Sequence, residues 1–120
     1  PKAAQFKFMQ EMVTCVEGDG QVTLVVCRSG NFDKEVTVDY ATSDITATEK
    51  KDYMPAKGTL TFGPGEQTKK IHISIIDDSV YEKAETFRCE LSAPSHGAEI
   101  TGSGLAQVTI ENDDAEDNTF

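Results

Sequence analysis

The alternation of apolar and polar residues is the feature that most constrains how this chain can fold. Residues 21–28 read Gln-Val-Thr-Leu-Val-Val-Cys-Arg, and residues 35–41 read Glu-Val-Thr-Val-Asp-Tyr-Ala. Successive side chains of a β-strand point to opposite faces, and β-branched residues pack well on such a surface. No long window of the sequence carries the apolar stripe that indicates a helix. The pattern therefore predicts an all-β protein.

Seven strands are predicted, and the segments between them are rich in turn-forming residues. Residues 18–20, 29–31 and 63–65 combine Gly with Asp, Asn, Ser or Pro, which tolerate positive φ or pre-set a turn. Seven short strands in a chain of 120 residues predict one domain, a seven-strand antiparallel immunoglobulin-like β-sandwich. The predicted strands span residues 5–14, 21–28, 35–41, 57–62, 68–76, 85–92 and 104–111.

Three cysteines are present, Cys15, Cys27 and Cys89, and none of them forms a C-x-x-C pair. The sequence therefore gives no indication of a zinc or redox motif. Cys27 and Cys89 fall on predicted strands two and six, where antibody domains carry their disulfide. The alternation places Cys89 on the inward face and Cys27 on the outward face, so we expect three free thiols.

The charge of the chain excludes some classes of partner. Asp and Glu number 21 against 11 Lys and Arg, which gives a formal net charge of -10. Such a chain does not neutralise phosphates, so nucleic-acid binding is not expected. No apolar run approaches the roughly 18 to 20 residues of a membrane helix, so we expect no direct membrane insertion of this domain.

The acids are concentrated at one predicted end of the sandwich. If successive strands reverse direction, the loops after strands one, three and five share that end with the segment after strand seven. Together with Glu85, the first residue of strand six, those segments hold thirteen acids and three lysines, a formal charge of -10 that equals the net charge of the whole chain. Charge counting alone leaves two interpretations open: solvated loops that keep the domain soluble, or a site in which a multivalent cation neutralises the acids.

Two observations favour a cation, and specifically Ca²⁺. Asp77-Asp78 and Asp113-Asp114 are consecutive acids directly at strand ends, where the sheet fixes the backbone. Ca²⁺ accepts about 6 to 8 oxygen ligands with tolerant geometry, which suits donors from several loops. The acidic loops contain no His, and Cys15 directly after strand one is their single Cys, so they offer no ligand set for zinc or copper.

An enzyme is not expected. His72 alternates with Ile71 and Ile73 in a predicted strand, and His96 lies at the end opposite the acids. No nucleophile, base and orienting group can be placed together on this plan.

Several runs of the sequence, taken in order, resemble the Calx-β domain family. They are Tyr-Ala-Thr-Ser-Asp at 40–44, Thr-Ala at 46–47, Asp-Tyr at 52–53, Gly-Thr-Leu-Thr-Phe-Gly-Pro-Gly-Glu at 58–66, Ile-Ile-Asp-Asp at 75–78, Tyr-Glu at 81–82, Glu-Thr-Phe at 85–87, and Val-Thr-Ile-Glu-Asn-Asp-Asp at 108–114. The resemblance covers roughly residues 6–114 and leaves 115–120 as a tail or linker. It implies a seven-strand immunoglobulin-like sandwich of the kind found in the regulatory cytoplasmic loop of sodium/calcium exchangers and in extracellular matrix and adhesion proteins.

The resemblance also implies a Ca²⁺ site where the loops after strands one, three, five and seven meet. Where the exchanger domain has further acids, this chain has Ser79 and Asn112, each of which loses a charge but keeps an oxygen. Fewer ions or lower affinity would follow. The ligands carried over by position are Glu17, Asp44, Asp77, Asp78, the main-chain carbonyl of Val80, Glu82, Glu85, Asp113 and Asp114.

The expected function is therefore that of a calcium-binding regulatory or interaction module in a larger membrane-associated or extracellular protein. Its partners would be neighbouring domains of the same chain or an adhesion partner protein. The module would lie in a cytoplasmic loop of a membrane transporter or at the cell surface. The alternative is a structural repeat of an adhesion or matrix protein, with weak or no calcium binding.

Overall fold

A computed structural model describes residues 3–77 and 83–112 of the chain. These residues form nine β-strands and a single-turn 3₁₀ helix at Glu17–Asp19, ten elements in all. Within the same residues, no helix is long and apolar enough to cross a membrane. The strands are β1 (Gln5–Phe8), β2 (Met12–Val16), β3 (Gln21–Ser29), β4 (Val36–Asp44), β5 (Lys57–Phe62), β6 (Thr68–Ser74), β7 (Glu85–Ser92), β8 (Glu99–Ile100) and β9 (Leu105–Glu111).

Two sheets enclose the core. One has the strand order β6-β3-β1-β8, and the other has the order β2-β9-β7-β4-β5. Phe6 and Val26 of the first sheet and Phe87 and Val108 of the second are fully buried. Each lies at an apolar, inward-facing position of its alternating strand. Burial of one apolar face of each sheet is therefore the main contribution to the stability of the fold. The predicted all-β sandwich is confirmed.

The first predicted strand, 5–14, is wrong as a single element because the chain changes sheets within it. β1 pairs with β3 in one sheet, while β2 pairs with β9 in the other. Between them, the Glu11 carboxylate accepts hydrogen bonds from the Ser103 main-chain N at 3.1 Å and from its Oγ at 2.9 Å. Alternation breaks at the crossing, where residues 9–12 read Met-Gln-Glu-Met and the inward positions shift from Phe6 and Phe8 to Val13 and Cys15.

The prediction of seven antiparallel strands differs from the structure in two further ways. The two-residue strand β8 was missed, because two residues are too short to show alternation. It pairs with β1 in parallel, and β2 also runs parallel to β9. The division of the first strand and the addition of β8 account for the difference between seven and nine strands.

The predicted positions of the cysteines are confirmed. Cys27 is half-buried, whereas Cys89 is fully buried, and Cys15, Cys27 and Cys89 are all free thiols. Val22, Leu24 and Val26 take the inward face of β3, which leaves Cys27 on the outer face. A disulfide between Cys27 and Cys89 would require that alternation to shift by one residue.

A buried arginine, Arg28, holds together the loops at the end of the sandwich where β3 finishes and β4 begins. The Arg28 guanidinium is only 3% exposed. It donates to the carbonyl oxygens of Asn31 and Gly63, each at 3.0 Å, and of Lys34 at 2.5 Å. The exposed ion pair between Lys69 and Glu66, at 3.2 Å, lies nearby at the β5–β6 turn. These contacts fix the loops opposite the acid-rich end.

Candidate metal centre

The register of the five-stranded sheet brings four strand ends together. Val16 of β2 pairs with Glu111 of β9, Ile110 of β9 pairs with Glu85 of β7, and Phe87 of β7 pairs with Asp44 of β4. β2, β9 and β4 therefore end where β7 begins. We call this end of the sandwich, together with the loops that leave it, the acidic end.

The segment after β6 is held between two loops of the acidic end. The Ile75 N–H donates to the Gly20 carbonyl at 3.0 Å, and the Ile76 N–H donates to the Asp52 carbonyl at 3.0 Å. The loop after β2 and the loop after β4 are thus joined through the residues that precede Asp77. The Asp77 side chain is exposed at this junction.

Asp44 is the last residue of β4, and one oxygen of its carboxylate accepts two hydrogen bonds. Oδ1 accepts a hydrogen bond from the Tyr53 hydroxyl at 2.6 Å and another from the Glu49 main-chain N–H at 3.0 Å. These two hydrogen bonds fix the orientation of the Asp44 carboxylate at the end of a central strand.

Glu17 begins the 3₁₀ turn that follows β2, and its side chain is only 5% exposed. Removing a carboxylate from water is costly unless hydrogen-bond donors or a cation compensate. Its carbonyl oxygen accepts the Gly20 N–H at 3.3 Å, which closes the turn. The sheet therefore places a buried acid beside the strand end that leads to Asn112.

The Cys15 thiol responds to the negative charge of this end. Burial, together with the negative charges of Asp19 and Glu111, raises the pKa of Cys15 to about 11. The thiol is therefore protonated at neutral pH. Because a metal-binding cysteine coordinates as the thiolate, Cys15 is a poor metal ligand, and the acidic end offers oxygen donors instead.

Sequence reasoning missed two residues that support the site. Tyr53 is fully buried, and its ring stacks on Phe87 with a centroid distance of 3.9 Å. Asp52 is 7% exposed, and its Oδ2 accepts the Thr48 main-chain N–H at 2.8 Å. The Asp-Tyr pair at 52–53 is part of the family resemblance, but the resemblance does not reveal that Tyr53 contacts Asp44 or that Asp52 closes the loop at Thr48.

The predicted ligands divide into two groups. Glu17, Asp44, Asp77 and Glu85 are described, and the strand register and loop contacts assign them all to the acidic end. Among the residues that the structure describes, no group of three or more His, Cys, Asp or Glu side chains could hold a metal ion. The remaining predicted ligands lie outside the described residues: Asp78, Val80, Glu82, Asp113 and Asp114.

The donor chemistry of the four described residues fits calcium. All four are carboxylates, which are hard oxygen ligands of the type that Ca²⁺ prefers. They come from the ends of four separate segments, and the tolerant geometry of Ca²⁺ suits ligands gathered in this way.

Fold and site together define a two-sheet, immunoglobulin-like module with one acidic end. The Calx-beta domain family matches residues 2–114. The chain belongs to this family.

Sodium/calcium exchangers are among the relatives of this chain. The chain is 36% identical over 101 residues to "Sodium/calcium exchanger Calx" of Drosophila melanogaster, a match that covers 84% of this chain and 11% of the exchanger. The chain thus spans about a tenth of the length of the curated relatives it matches.

Two solved structures have the same fold. The crystal structure of the apo-form Calx CBD1 domain matches with a TM-score of 0.91 and 33% identity, covering 94% of this chain and 100% of that one. The structure of the calcium binding domain CBD12 of CALX1.1 matches with a TM-score of 0.88 and 34% identity, covering 91% of this chain and 44% of that one. The chain is therefore similar to calcium-binding domains of exchangers, including one solved together with further residues.

Proposed function

We propose that this domain is a Ca²⁺-binding regulatory module of a larger exchanger-like protein. The observation that carries the proposal is the register of β2, β4, β7 and β9, which gathers the carboxylate-bearing strand ends at the acidic end. The proposed ligands are Glu17, Asp44, Asp77, Asp78, the Val80 carbonyl, Glu82, Glu85, Asp113 and Asp114.

The free energy of binding would come from neutralising charges that the fold already holds together. Glu17 is buried, and Asp44 is fixed by two hydrogen bonds, so both are ordered before an ion arrives. Preorganised ligands lose little conformational entropy on binding. The bound ion supplies positive charge that offsets the repulsion among the acids.

Ion binding would make the acidic end more rigid. Without the ion, the carboxylates repel one another and weaken the contacts among the loops after β2, β4 and β6. With the ion, segments from four parts of the chain are tied to one centre. A ligand shifts a conformational equilibrium toward the state that it binds more tightly. Ca²⁺ would therefore favour the arrangement in which these segments are held together.

A stiffened acidic end could act on a neighbouring domain of the same chain. The similarity to the CBD12 structure, of which this chain spans 44%, supports such a neighbour. The exchanger relatives support a position in a regulatory cytoplasmic loop of a membrane transporter. On the same grounds, the domain would act as a binding module and not as an enzyme.

The test is a Ca²⁺ titration by calorimetry, together with thermal melts in chelator and in millimolar Ca²⁺. We expect heat of binding and a rise in Tm of several degrees, because a ligand that binds only the folded state stabilises it. The Asp77→Ala/Asp113→Ala double variant should lose both effects. The matched control, Asp33→Ala/Glu99→Ala, removes two exposed acids at the opposite end and should keep both. Absence of heat and Tm shift in the wild type would contradict the proposal and favour a structural repeat.

A further inference from the structure

We infer that Tyr53 is a positioning residue that sets the orientation of the Asp44 carboxylate for cation binding. The inference rests on the proposed function, because it assigns Asp44 a ligand role. The Tyr53 hydroxyl donates to Asp44 Oδ1 at 2.6 Å, a short, charge-assisted hydrogen bond. The Glu49 main-chain N–H donates to the same oxygen at 3.0 Å.

Because both donors bind the same oxygen of the Asp44 carboxylate, the other oxygen is held at a defined position. Both described hydrogen bonds of Asp44 fall on Oδ1, so Oδ2 is the oxygen assigned to the cation. A carboxylate on an exposed strand end would otherwise rotate about its side-chain bonds, and binding an ion would require that freedom to be lost. The hydroxyl removes this ordering cost before the ion binds.

Tyr53 is itself fixed by contacts that do not involve Asp44. Its ring is fully buried and stacks on Phe87 at 3.9 Å with an interplanar angle of 9°. Its carbonyl accepts the Lys50 N–H at 2.6 Å, and its backbone forms a bridge with Ile75. These contacts fix the tyrosine independently of Asp44. Its hydroxyl can therefore hold the Asp44 carboxylate in place.

The position of Tyr53 also connects two of the segments that the proposed ion would tie together. The bridge to Ile75 lies two residues before Asp77, and the hydroxyl reaches Asp44 at the end of β4. Tyr53 thus contacts both acid-bearing segments, one through its backbone and the other through its hydroxyl. A supporting residue of this kind is worth about 10- to 100-fold in metal affinity at known metal sites.

The experiment compares Tyr53→Phe with the wild type by Ca²⁺ calorimetry, well below the melting temperature and with folding checked by circular dichroism in chelator. The variant keeps the buried ring and removes only the hydroxyl. We expect a Kd for Ca²⁺ raised about tenfold with the same number of ions bound. The matched control is Tyr40→Phe on β4, whose hydroxyl has no described contact with Asp44 and whose Kd should stay at the wild-type value.

The outcomes separate this inference from the proposed function. If the wild type binds Ca²⁺ and Tyr53→Phe binds it with unchanged Kd, the positioning role is overturned while the calcium module stands. A lower Tm in chelator with unchanged Kd would overturn it in the same way, since that result indicates a structural hydroxyl only. If the wild type does not bind Ca²⁺, both proposals fail together.

Discussion

Val16 of β2 and Glu111 of β9 are neighbours in parallel register. The two strands consequently leave the sheet side by side, and Glu17 and Asn112 are the next residues of two adjacent segments. β9 also pairs with β7, whose first residue, Glu85, is the register partner of Ile110. Parallel pairing of the early strand with the last strand is thus what brings the acids of distant parts of the sequence to one end.

The first prediction concerns proton competition at the acidic end. Ca²⁺ affinity should fall as the pH drops from about 7 to about 5, because protons and the ion compete for the same carboxylate oxygens. Calorimetry at several pH values measures this, and titrations in buffers of different ionisation enthalpy count the protons released. An affinity that stays flat across this range would contradict carboxylate ligation.

The second prediction concerns the crossing between sheets at Glu11. The hydrogen bonds from the main-chain N and Oγ of Ser103 lower the pKa of Glu11 below its ordinary value of 4.5. A carboxylate whose pKa is lowered by folding adds stability above its unfolded pKa, and this stability is lost as the pH falls through the folded pKa. Glu11→Gln should therefore lower Tm by a few degrees at pH 7, and the gap should close in acid.

Melts of both proteins between about pH 7 and pH 3 test this. The matched control is Glu35→Gln, an exposed acid in the loop before β4. It should follow the wild type throughout. A Tm difference for Glu11→Gln that is the same at every pH would mean that shape, and not charge, accounts for the contribution of Glu11.

The sequence predicts best those elements that are bounded by turn residues. The predicted strands 57–62 and 85–92 agree with Lys57–Phe62 and Glu85–Ser92 residue for residue. Each is a short alternating run with polar or turn-forming segments on both sides. The crossing at residues 9–11 coincides with a break in alternation, but period-two alternation indicates which face a residue takes and not which sheet it joins.

The candidate site could be predicted only at the level of chain position. The acids were found because they follow predicted strands, and family resemblance supplied their order. The contact between Tyr53 and Asp44 depends on how the loop between β4 and β5 returns to the sheet. That loop has no periodic pattern, so its path is determined by tertiary hydrogen bonds such as the one from Ile76 N to the Asp52 carbonyl.

The third prediction concerns thiol reactivity in the folded protein. Burial raises the pKa of Cys15 to about 11 and that of Cys89 to about 12, so neither forms the reactive thiolate near pH 8. Cys27 is half-buried on an outer face. A chromogenic disulfide reagent should therefore modify one thiol quickly in the native state and three after unfolding. Cys27→Ser should abolish the fast phase, whereas two or more fast thiols in the wild type would contradict the burial of Cys15 and Cys89.

The fourth prediction concerns the charge that Asn112 lacks at the end of β9. Asn112→Asp adds a carboxylate next to Glu111, beside the strand end that leads to Glu17. Ca²⁺ affinity should rise several-fold, because the number of charged ligands tunes affinity. In chelator the same charge adds repulsion, so Tm should fall there and the stabilisation produced by Ca²⁺ should increase.

Calorimetry and melts in chelator and in Ca²⁺ measure both effects in one variant. The matched control, Gln67→Glu, adds one negative charge to an exposed residue of the turn between β5 and β6, at the opposite end. It should leave the Kd and the Ca²⁺-dependent Tm shift unchanged, because salt screens exposed charges over about 8 to 10 Å. An equal gain in affinity from both variants would indicate attraction by net charge alone. No gain in Ca²⁺ affinity from Asn112→Asp would indicate that the end of β9 does not contribute to the ion site.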